Sequence, residues 1–370
     1  MISYTWNRPV KILFGCGQLN YLGENILSAG KRCLLMIGGG SVIEHGYLDR
    51  TTNQLKKSGI EWILFQGVEP NPTAATVDRA ASMVKREKCD FILALGGGSV
   101  MDAAKAAACL GKNPGKCWDY IRRDDKQKSF KEALPVVCVS TFAATGSEAN
   151  GNAVISNPDT GEKIALINDA IIPRVSIVDP ELTYSLSPES TAAGGIDIIC
   201  HAMEKYWSQT GFDSYLYDRF AESIFKTVIE WLPRALENGK DPIARNNLAA
   251  ASSYAMLGLN LGITGSFPLH MMEHPLSGIF NITHGFGLAA LIPAALRFNC
   301  RKGCRMAAAM ARNVFNVTTV KDEEAAEEGI ICFENWMKNN NLVFKLSELG
   351  VKEDKLERQR SLPYRFFRIM

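Results

Sequence analysis

Hydrophobic and polar positions change their period along the first half of the chain. Short apolar runs alternate with segments in which apolar residues recur every three or four positions, as at Val77, Ala81 and Val84. The runs predict buried strands, and the spaced segments predict amphipathic helices between them. Such alternation is typical of a parallel sheet with helices on both faces. The predicted strands are 31–37, 61–65, 90–95, 134–140 and 175–178, and the predicted helices are 73–88 and 101–110.

The pattern changes near Ser187. Ser187 and Pro188 are typical of a helix N-cap followed by proline at the first helical position. Beyond them, long helical patterns cover 191–209, 214–237 and 243–259, and strand-like runs nearly vanish. We therefore predict an α/β domain over residues 1–187 and an all-helical domain over residues 188–370.

Composition and charge indicate which kinds of partner to expect. The chain has 370 residues with 41 Lys and Arg against 39 Asp and Glu, and a net charge of +2 is too small to indicate binding to nucleic acid or an anionic membrane. No apolar run approaches the ~20 residues of a membrane span, and residues 1–15 lack a signal-peptide pattern. Ten scattered cysteines without a C-x-x-C pair indicate reduced thiols. We expect a cytoplasmic protein without nucleic-acid or membrane partners.

A glycine turn follows the predicted strand 90–95. It consists of Gly96, Gly97, Gly98 and Ser99 and leads into a helix. Glycines there let the backbone approach a pyrophosphate, and the helix N-terminus favours the anion. The turn matches no generic nucleotide fingerprint, so a turn that binds nothing remains an alternative. Asp102, one turn into the helix, would be unfavourable beside a phosphate unless it holds backbone or hydroxyl groups.

A second glycine run ends the strand 31–37. Gly38, Gly39, Gly40 and Ser41 contain no acid, and none follows until Glu44. An acid would bind the adenosine ribose and repel a 2′-phosphate, whereas glycine N–H groups and a serine hydroxyl would accept that phosphate. The alternative is a turn that needs a positive φ.

A third loop, residues 141–148, follows the strand 134–140. Its small hydroxylated residues fit the ligand-binding edge of a parallel sheet. A plain loop rich in serine and threonine is the alternative.

The histidines cluster in the helical half. The five are His45, His201, His270, His274 and His284. Asp197 and His201 are four residues apart, which places both on one helix face, and His270 and His274 repeat that spacing. Three imidazoles and one carboxylate suit a divalent transition metal such as Fe²⁺ or Zn²⁺. Hydrogen-bonded core histidines are the alternative.

Several segments together resemble the iron-containing (group III) alcohol dehydrogenases, and within them the butanol dehydrogenase-like, NADPH-dependent aldehyde reductases. The segments occur in family order over roughly residues 1–300, and the H-x3-H-x9-H spacing after D-x3-H is highly specific. They are GGGSVMDAAK (96–105), STFAATGSEAN (140–150), KIALINDAIIPRVSIVDPELTYSLSP (163–188), GGIDIICHAMEKYWS (194–208), HMMEHPLSG (270–278) and THGFGLAALIPAALRF (283–298).

The resemblance implies a dinucleotide-binding α/β domain, an all-α metal-binding domain and an active site in the cleft between them, as in the dehydroquinate synthase-like architecture. It implies reversible hydride transfer between NADPH, or NAD(H), and small aldehydes or primary alcohols such as butanol. It also implies a homodimer.

The resemblance further implies particular site residues. The metal ligands would be Asp197, His201, His270 and His284, with His274 as a proton relay. Gly96, Gly97, Gly98 and Ser99 would hold the pyrophosphate, and the run at 38–41 favours NADPH. The other cofactor residues would be Asp102, Thr141, Thr145, Asn150, Lys163, Leu182 and Leu186.

Other functions remain open from the sequence. A dehydroquinate synthase-like or glycerol dehydrogenase-like enzyme could use the same fold, although the former needs basic residues for a phosphorylated substrate. A non-catalytic relative is a further alternative. Family members run some 15–20 residues longer, and residues 361–370 differ from the family tail, which predicts a less completely packed helical domain.

Overall fold

The computed structural model describes residues 9–207, 215–257, 267–301 and 303–352. The tail at 361–370 and the ends of three predicted helices, at 208–209, 214 and 258–259, lie outside these ranges. The strands are β1 (Lys11–Phe14), β2 (Arg32–Ile37), β3 (Glu61–Phe65), β4 (Phe91–Gly96), β5 (Val136–Ser140), β6 (Asn152–Asn157), β7 (Glu162–Ile167) and β8 (Val175–Val178). The α-helices are α1 (Leu22–Asn25), α2 (Ser41–Glu44), α3 (Tyr47–Lys57), α4 (Ala74–Arg86), α5 (Gly98–Lys112), α6 (Trp118–Ile121), α7 (Pro188–Trp207), α8 (Tyr215–Glu237), α9 (Pro242–Leu257), α10 (Leu269–Phe280), α11 (His284–Cys300), α12 (Arg305–Phe315) and α13 (Asp322–Asn339). Single 3₁₀ turns lie at Gln18–Tyr21, Leu27–Ala29, Ser147–Ala149, Asp169–Ile171 and Pro180–Thr183.

Six strands form one parallel sheet in the order β1-β8-β5-β4-β2-β3, which confirms the predicted fold class. The register pairs Gly96 with Ser140 and Ser140 with Val178. The carboxyl ends of β4, β5 and β8 therefore meet at one edge of the sheet. In an open parallel sheet this is the edge at which ligands bind.

The central strand β4 is almost wholly apolar because both of its faces are buried. Ile92 and Ala94 pack into the core beneath α4 and α5, while Phe91, Leu93 and Leu95 pack into the core on the opposite face. Successive side chains of a strand point to opposite faces, and here both faces are covered.

One element contradicts the predicted strand set. Strands β6 and β7 form an antiparallel hairpin outside the main sheet, with Ser156 opposite Lys163. The hairpin buries mainly one face, with Ile155, Ile164 and Leu166 inside. Its apolar residues therefore do not form the continuous runs from which the other strands were predicted. The short edge strand β1 was also missed, since its four residues are exposed or half-buried.

Beyond β8 the described residues contain helices and no strand. Helix α7 begins at Pro188, and the hydroxyl of Ser187 accepts a hydrogen bond from the backbone N–H of Ser190 at 3.1 Å, as expected for an N-cap. The domain boundary at 187/188 stays a prediction. Ala192, Ile196 and Met203 of α7 contribute to one apolar core shared with the later helices.

All ten cysteines are free thiols, and six of them are buried. Within the described residues, no helix combines the length and apolar character that a membrane crossing requires.

A buried hydrogen-bond network that includes a lysine and an aspartate links α5 to the loop after β5. Lys105 is fully buried and donates to the hydroxyl of Ser147 at 2.7 Å, to the carbonyl of Asn152 at 2.9 Å and to the carbonyl of Ser147. Asp102, also buried, accepts from the Ser147 hydroxyl at 2.6 Å. Breaking one side of such a network leaves an uncompensated charge.

Replacing Lys105 with methionine should therefore destabilise the protein by about 3–5 kcal/mol. Urea unfolding followed by circular dichroism measures this loss. The matched control is Lys112→Met, since Lys112 is exposed at the end of the same helix. Equal stabilities of the two variants would contradict this account of Lys105.

Candidate metal and cofactor site

Helix α7 carries two of the four predicted metal ligands, which together with His274 we call the metal side of the site. Asp197 and His201 lie one turn apart, and the Asp197 carboxylate is 3.7 Å from Nδ1 of His201. Gly194 of the same helix lies against the loop after β5, where an added Cβ would be 2.5 Å from the carbonyl oxygen of Ala143. Because Gly194 has no side chain, α7 can approach the backbone of the loop after β5 directly.

Helices α10 and α11 bring the other histidines. His270 and His274 lie on α10, and His284 is the first residue of α11. Oδ1 of Asp197 is 3.2 Å from Nε2 of His270 and 3.7 Å from Nε2 of His284. The chain turns between these helices at Asn281, whose φ of 51° is left-handed.

The donor atoms fit a transition-metal ion. Nitrogen and oxygen ligands about 2.0–2.2 Å from a tetrahedral ion stand about 3.4 Å apart, close to the distances observed around Asp197. Nδ1 of His201 is buried and has no hydrogen-bond partner among the described residues, as expected of a ligand atom. The donors of Asp197, His201 and His270 lie within 4.8 Å of one another.

His284 has a second set of neighbours. Its ring, that of His274 and the carboxylate of Glu273 form another group of donors within 4.8 Å. His284 thus lies between the two groups. Its membership of the ligand set with Asp197 stays a prediction.

Asp197 and His201, two of the predicted ligands, are held in the protonation states that metal binding needs. Burial lowers the pKa of His201 to about 4, which leaves its lone pair free. Burial alone would raise the pKa of Asp197, but His201 and the other imidazoles hold it well below its usual range. An ionised carboxylate and neutral imidazoles are the metal-binding forms.

Two carboxylates behind the histidines were missed from the sequence. Glu204 accepts the backbone N–H of His270 at 2.6 Å and lies 3.0 Å from its Nδ1. Glu273, fully buried, contacts Nδ1 of His284 and accepts from Ser277. Such carboxylates orient metal-binding imidazoles. A signal existed, since Glu204 follows His201 by three residues and Glu273 follows His270 by three.

His270 shows the effect of these carboxylates. Burial would lower the pKa of its imidazole, but Glu204 and then Asp197 raise it to about 10. The two carboxylates therefore favour the protonated form of the His270 ring. A metal ion bound to this ring would displace that proton.

The glycine turn lies at the start of α5, at the sheet edge described above. An added Cβ at Gly98 would come within 2.6 Å of the Thr145 side chain, so glycine permits the two loops to meet. One cleft is lined by this turn and by the metal-side histidines. The predicted residues that line it are Gly98, Ser99, Asp102, Thr145, Asn150, Lys163, Asp197, His201, His270, His274 and His284.

Asp102 and Asn150 hold the walls of this cleft. Besides Ser147, Asp102 accepts the backbone N–H of Val154 at 2.9 Å, so the acid beside the glycine turn binds backbone and hydroxyl groups. The amide of Asn150 donates to the carbonyl of Gly146 at 2.9 Å and accepts from the N–H of Asn152 at 2.8 Å. Their direct contact with a cofactor stays a prediction.

The remaining predicted cofactor residues lie outside the lining of this cleft. Leu182 is fully buried in the core of the sheet domain. Gly40 has a φ of 134°, so this turn does need a residue that tolerates a positive φ. The full set outside the lining is Gly38, Gly39, Gly40, Ser41, Gly96, Gly97, Thr141, Leu182 and Leu186.

Comparison with known proteins places this arrangement in a family. The model described as iron-containing alcohol dehydrogenase matches residues 9–180, and the model for the C-terminal part of the Fe-containing alcohol dehydrogenase family matches residues 191–362. The chain belongs to the iron-containing alcohol dehydrogenase family, which confirms the predicted family and enzyme class. The family implies an NAD(P) cofactor and a divalent metal ion.

Individual relatives match nearly the whole chain. The NADH-dependent butanol dehydrogenase A of Clostridium acetobutylicum is 36% identical, over 96% of this chain and 92% of that protein. The NADPH-dependent aldehyde reductase YqhD of Escherichia coli is 34% identical, over 95% and 90%. The crystal structure of the NADH-dependent butanol dehydrogenase A of Thermotoga maritima matches with a TM-score of 0.92 and 35% identity, over 97% of this chain and 89% of that one.

Replacing His270 with alanine should abolish stoichiometric metal binding, because the site loses a donor 3.2 Å from Asp197. Elemental analysis of protein loaded with Fe²⁺ or Zn²⁺ and then dialysed measures the bound metal. The control is His45→Ala, since His45 is exposed and lies in the sheet domain. Full retention of metal by the His270 variant, with the fold intact by circular dichroism, would exclude His270 as a ligand.

Proposed function

We propose that this protein is a metal-dependent, NADPH-linked enzyme that reduces small aldehydes to primary alcohols and catalyses the reverse reaction. The supporting observation is a single cleft that is lined at once by the glycine turn of α5 and by Asp197 and His270. The cofactor and the metal ion would therefore both lie beside a substrate bound in this cleft.

The metal ligands in this proposal are Asp197, His201, His270 and His284. When bound, a divalent cation supplies Lewis acidity at the carbonyl oxygen and the nicotinamide supplies the hydride. The carboxylates of Glu204 and Glu273 fix the rings of His270 and His284 from behind. The metal would be Fe²⁺ or Zn²⁺, since both accept this donor set.

The sheet domain would bind and orient the dinucleotide. The first residues of α5, Gly98 and Ser99, present backbone N–H groups that suit a pyrophosphate. Thr145 and the network of Asp102 and Asn150 shape the facing wall. Rigid walls of this kind would hold the dinucleotide in one orientation and so reduce the entropy cost of reaction.

His274 is our candidate for proton transfer. Its ring centroid lies 5.6 Å from that of His284 and 6.0 Å from that of His270, and it lines the cleft. Burial, and then the charge of Lys163, lower the pKa of His274 well below its ordinary value. A neutral imidazole can accept a proton at one ring nitrogen and donate from the other, which suits a relay to solvent.

NADPH is proposed over NADH because residues 38–41 carry no acid that would repel a 2′-phosphate. The names of the relatives include both cofactors, so the preference depends on this loop. A homodimer and a cytoplasmic location remain proposals from the family resemblance.

Protein loaded with Fe²⁺ or Zn²⁺ should oxidise NADPH in the presence of aldehydes of two to six carbons. The absorbance of NADPH measures the rate. Chelation should remove the activity and added metal should restore it, because the Lewis acid is lost and regained. Absence of turnover with every aldehyde and both metals would exclude the proposed reaction.

The cofactor preference has its own test in Gly39→Asp. An added Cβ at Gly39 meets no atom within 4 Å, so the aspartate fits without strain. Its charge should lower kcat/KM for NADPH about tenfold or more and spare NADH. Gly39→Ala is the uncharged control. An equal or higher kcat/KM of the unaltered enzyme with NADH would refute the preference for NADPH.

A further inference from the structure

Asn71 occupies an unusual backbone position beside the cleft. It lies in the loop between β3 and α4 with a left-handed φ of 54°. The loop is fixed on both sides: the Glu69 carboxylate accepts the backbone N–H of Thr73 at 2.9 Å, and the carbonyl of Pro72 accepts the N–H of Ser156 at 2.8 Å. A sparsely populated conformation persists only where its surroundings determine it in this way.

The side-chain amide of Asn71 joins two other segments. Its Oδ1 accepts a hydrogen bond from Nζ of Lys163 at 2.8 Å, and its Nδ2 donates to Oδ1 of Asn281 at 3.0 Å. An ammonium group can only donate, so the oxygen of the amide must face Lys163. The orientation of the amide is therefore determined by its partners.

These partners come from two elements that pack against each other. Lys163 lies on β7 of the hairpin, and Asn281 ends α10, the helix that carries His270 and His274. The hairpin packs directly on α10, since an added Cβ at Gly278 would be 2.8 Å from the carbonyl oxygen of Gly161. Asn71 thus connects the loop, the hairpin and the metal-side helix at one point.

Lys163 is the chemically important partner. It lines the cleft, and no carboxylate among the described residues lies within 4.0 Å of its ammonium group. Asp102, Asp197 and Glu273 all act on it electrostatically from farther away. One of its three N–H groups binds Asn71, which leaves two for a ligand in the cleft.

We propose that Asn71 is a positioning residue that aims the ammonium group of Lys163 into the cleft and ties the loop between β3 and α4, which forms one wall, to the helix α10, which forms another. The bond to Lys163 sets where the charge lies, and the bond to Asn281 holds the two walls together. The effect on cofactor binding rests on the proposed function, whereas the tie between the walls does not.

The test separates the side chain from the backbone. Asn71→Gly keeps the left-handed φ at little cost and removes the amide. Asn281→Gly likewise keeps the helix end and removes only the acceptor on α10. Asn341→Gly is the matched control, because Asn341 also has a positive φ, 56°, and is exposed after α13.

Hydrogen–deuterium exchange of the ligand-free protein is the first readout. Asn71→Gly and Asn281→Gly should both speed exchange in residues 69–76 and 276–283, while Asn341→Gly leaves them unchanged. Melting temperatures should stay near that of the unaltered protein. Unchanged exchange in both cleft variants would overturn the tie between the walls.

Equilibrium titration with NADPH is the second readout. Asn71→Gly should weaken binding about tenfold to a hundredfold, as expected for a lost hydrogen bond to a charged group. Combining it with Lys163→Met should add nothing to the loss from Lys163→Met alone. Additive losses, or NADPH binding by Asn71→Gly equal to the unaltered protein, would overturn the positioning role.

The two proposals fail differently. If the unaltered protein reduces no aldehyde while the Asn71 variant still changes exchange and NADPH binding, the proposed reaction is wrong and the role of Asn71 stands. If aldehydes are reduced and neither readout changes, the role of Asn71 is wrong.

Discussion

A carboxylate taken out of water is costly unless opposite charge or hydrogen-bond donors surround it. Asp197 is 3% exposed on a helix whose neighbours are mostly apolar. Within the described ranges, the side chains that form ion-pair contacts with its carboxylate are imidazoles from α7, α10 and α11. The position of these helices around one carboxyl group is therefore the constraint on which the helical half depends. A metal ion at this point would compensate the carboxylate and hold the helices together.

The sheet half contains a comparable constraint. Asp102 and Lys105 are buried one turn apart on α5 and share Ser147 as a partner. This network holds the loop after β5 against the glycine turn. Each half thus places one buried carboxyl group in the wall of the cleft and surrounds it with fixed polar partners.

Much of this arrangement was predictable from residue spacing. The strand β4 and the helix α5 follow from an apolar run and a glycine turn, and the i, i+4 spacing of Asp197 and His201 puts both on one face. The hairpin of β6 and β7 was not predicted, because its many polar positions are also typical of a loop. Its packing on α10 is visible only in the folded chain. Asn71 was missed for a related reason, since its partners are distant in sequence and only the folded chain brings Lys163 and Asn281 to it.

The carboxylates behind the histidines were partly predictable from the sequence. Glu204 and Glu273 have helical spacing to His201 and His270, two of the predicted ligands, yet a glutamate on a helix is usually a solvated residue. Only burial distinguishes them, and burial depends on how the helices pack. The spacing alone could therefore suggest them but could not select them.

The glycine after His284 has a consequence for how the site can change. At Gly285 an added Cβ would lie 2.2 Å from the backbone of Ala193, so α11 and α7 touch main chain to main chain. The separation between His284 and Asp197 is thus set by peptide atoms rather than by interdigitating side chains. Substitutions elsewhere in the pocket can reshape its space while the predicted metal ligands keep their spacing, whereas even a methyl group at position 285 would force the two helices apart.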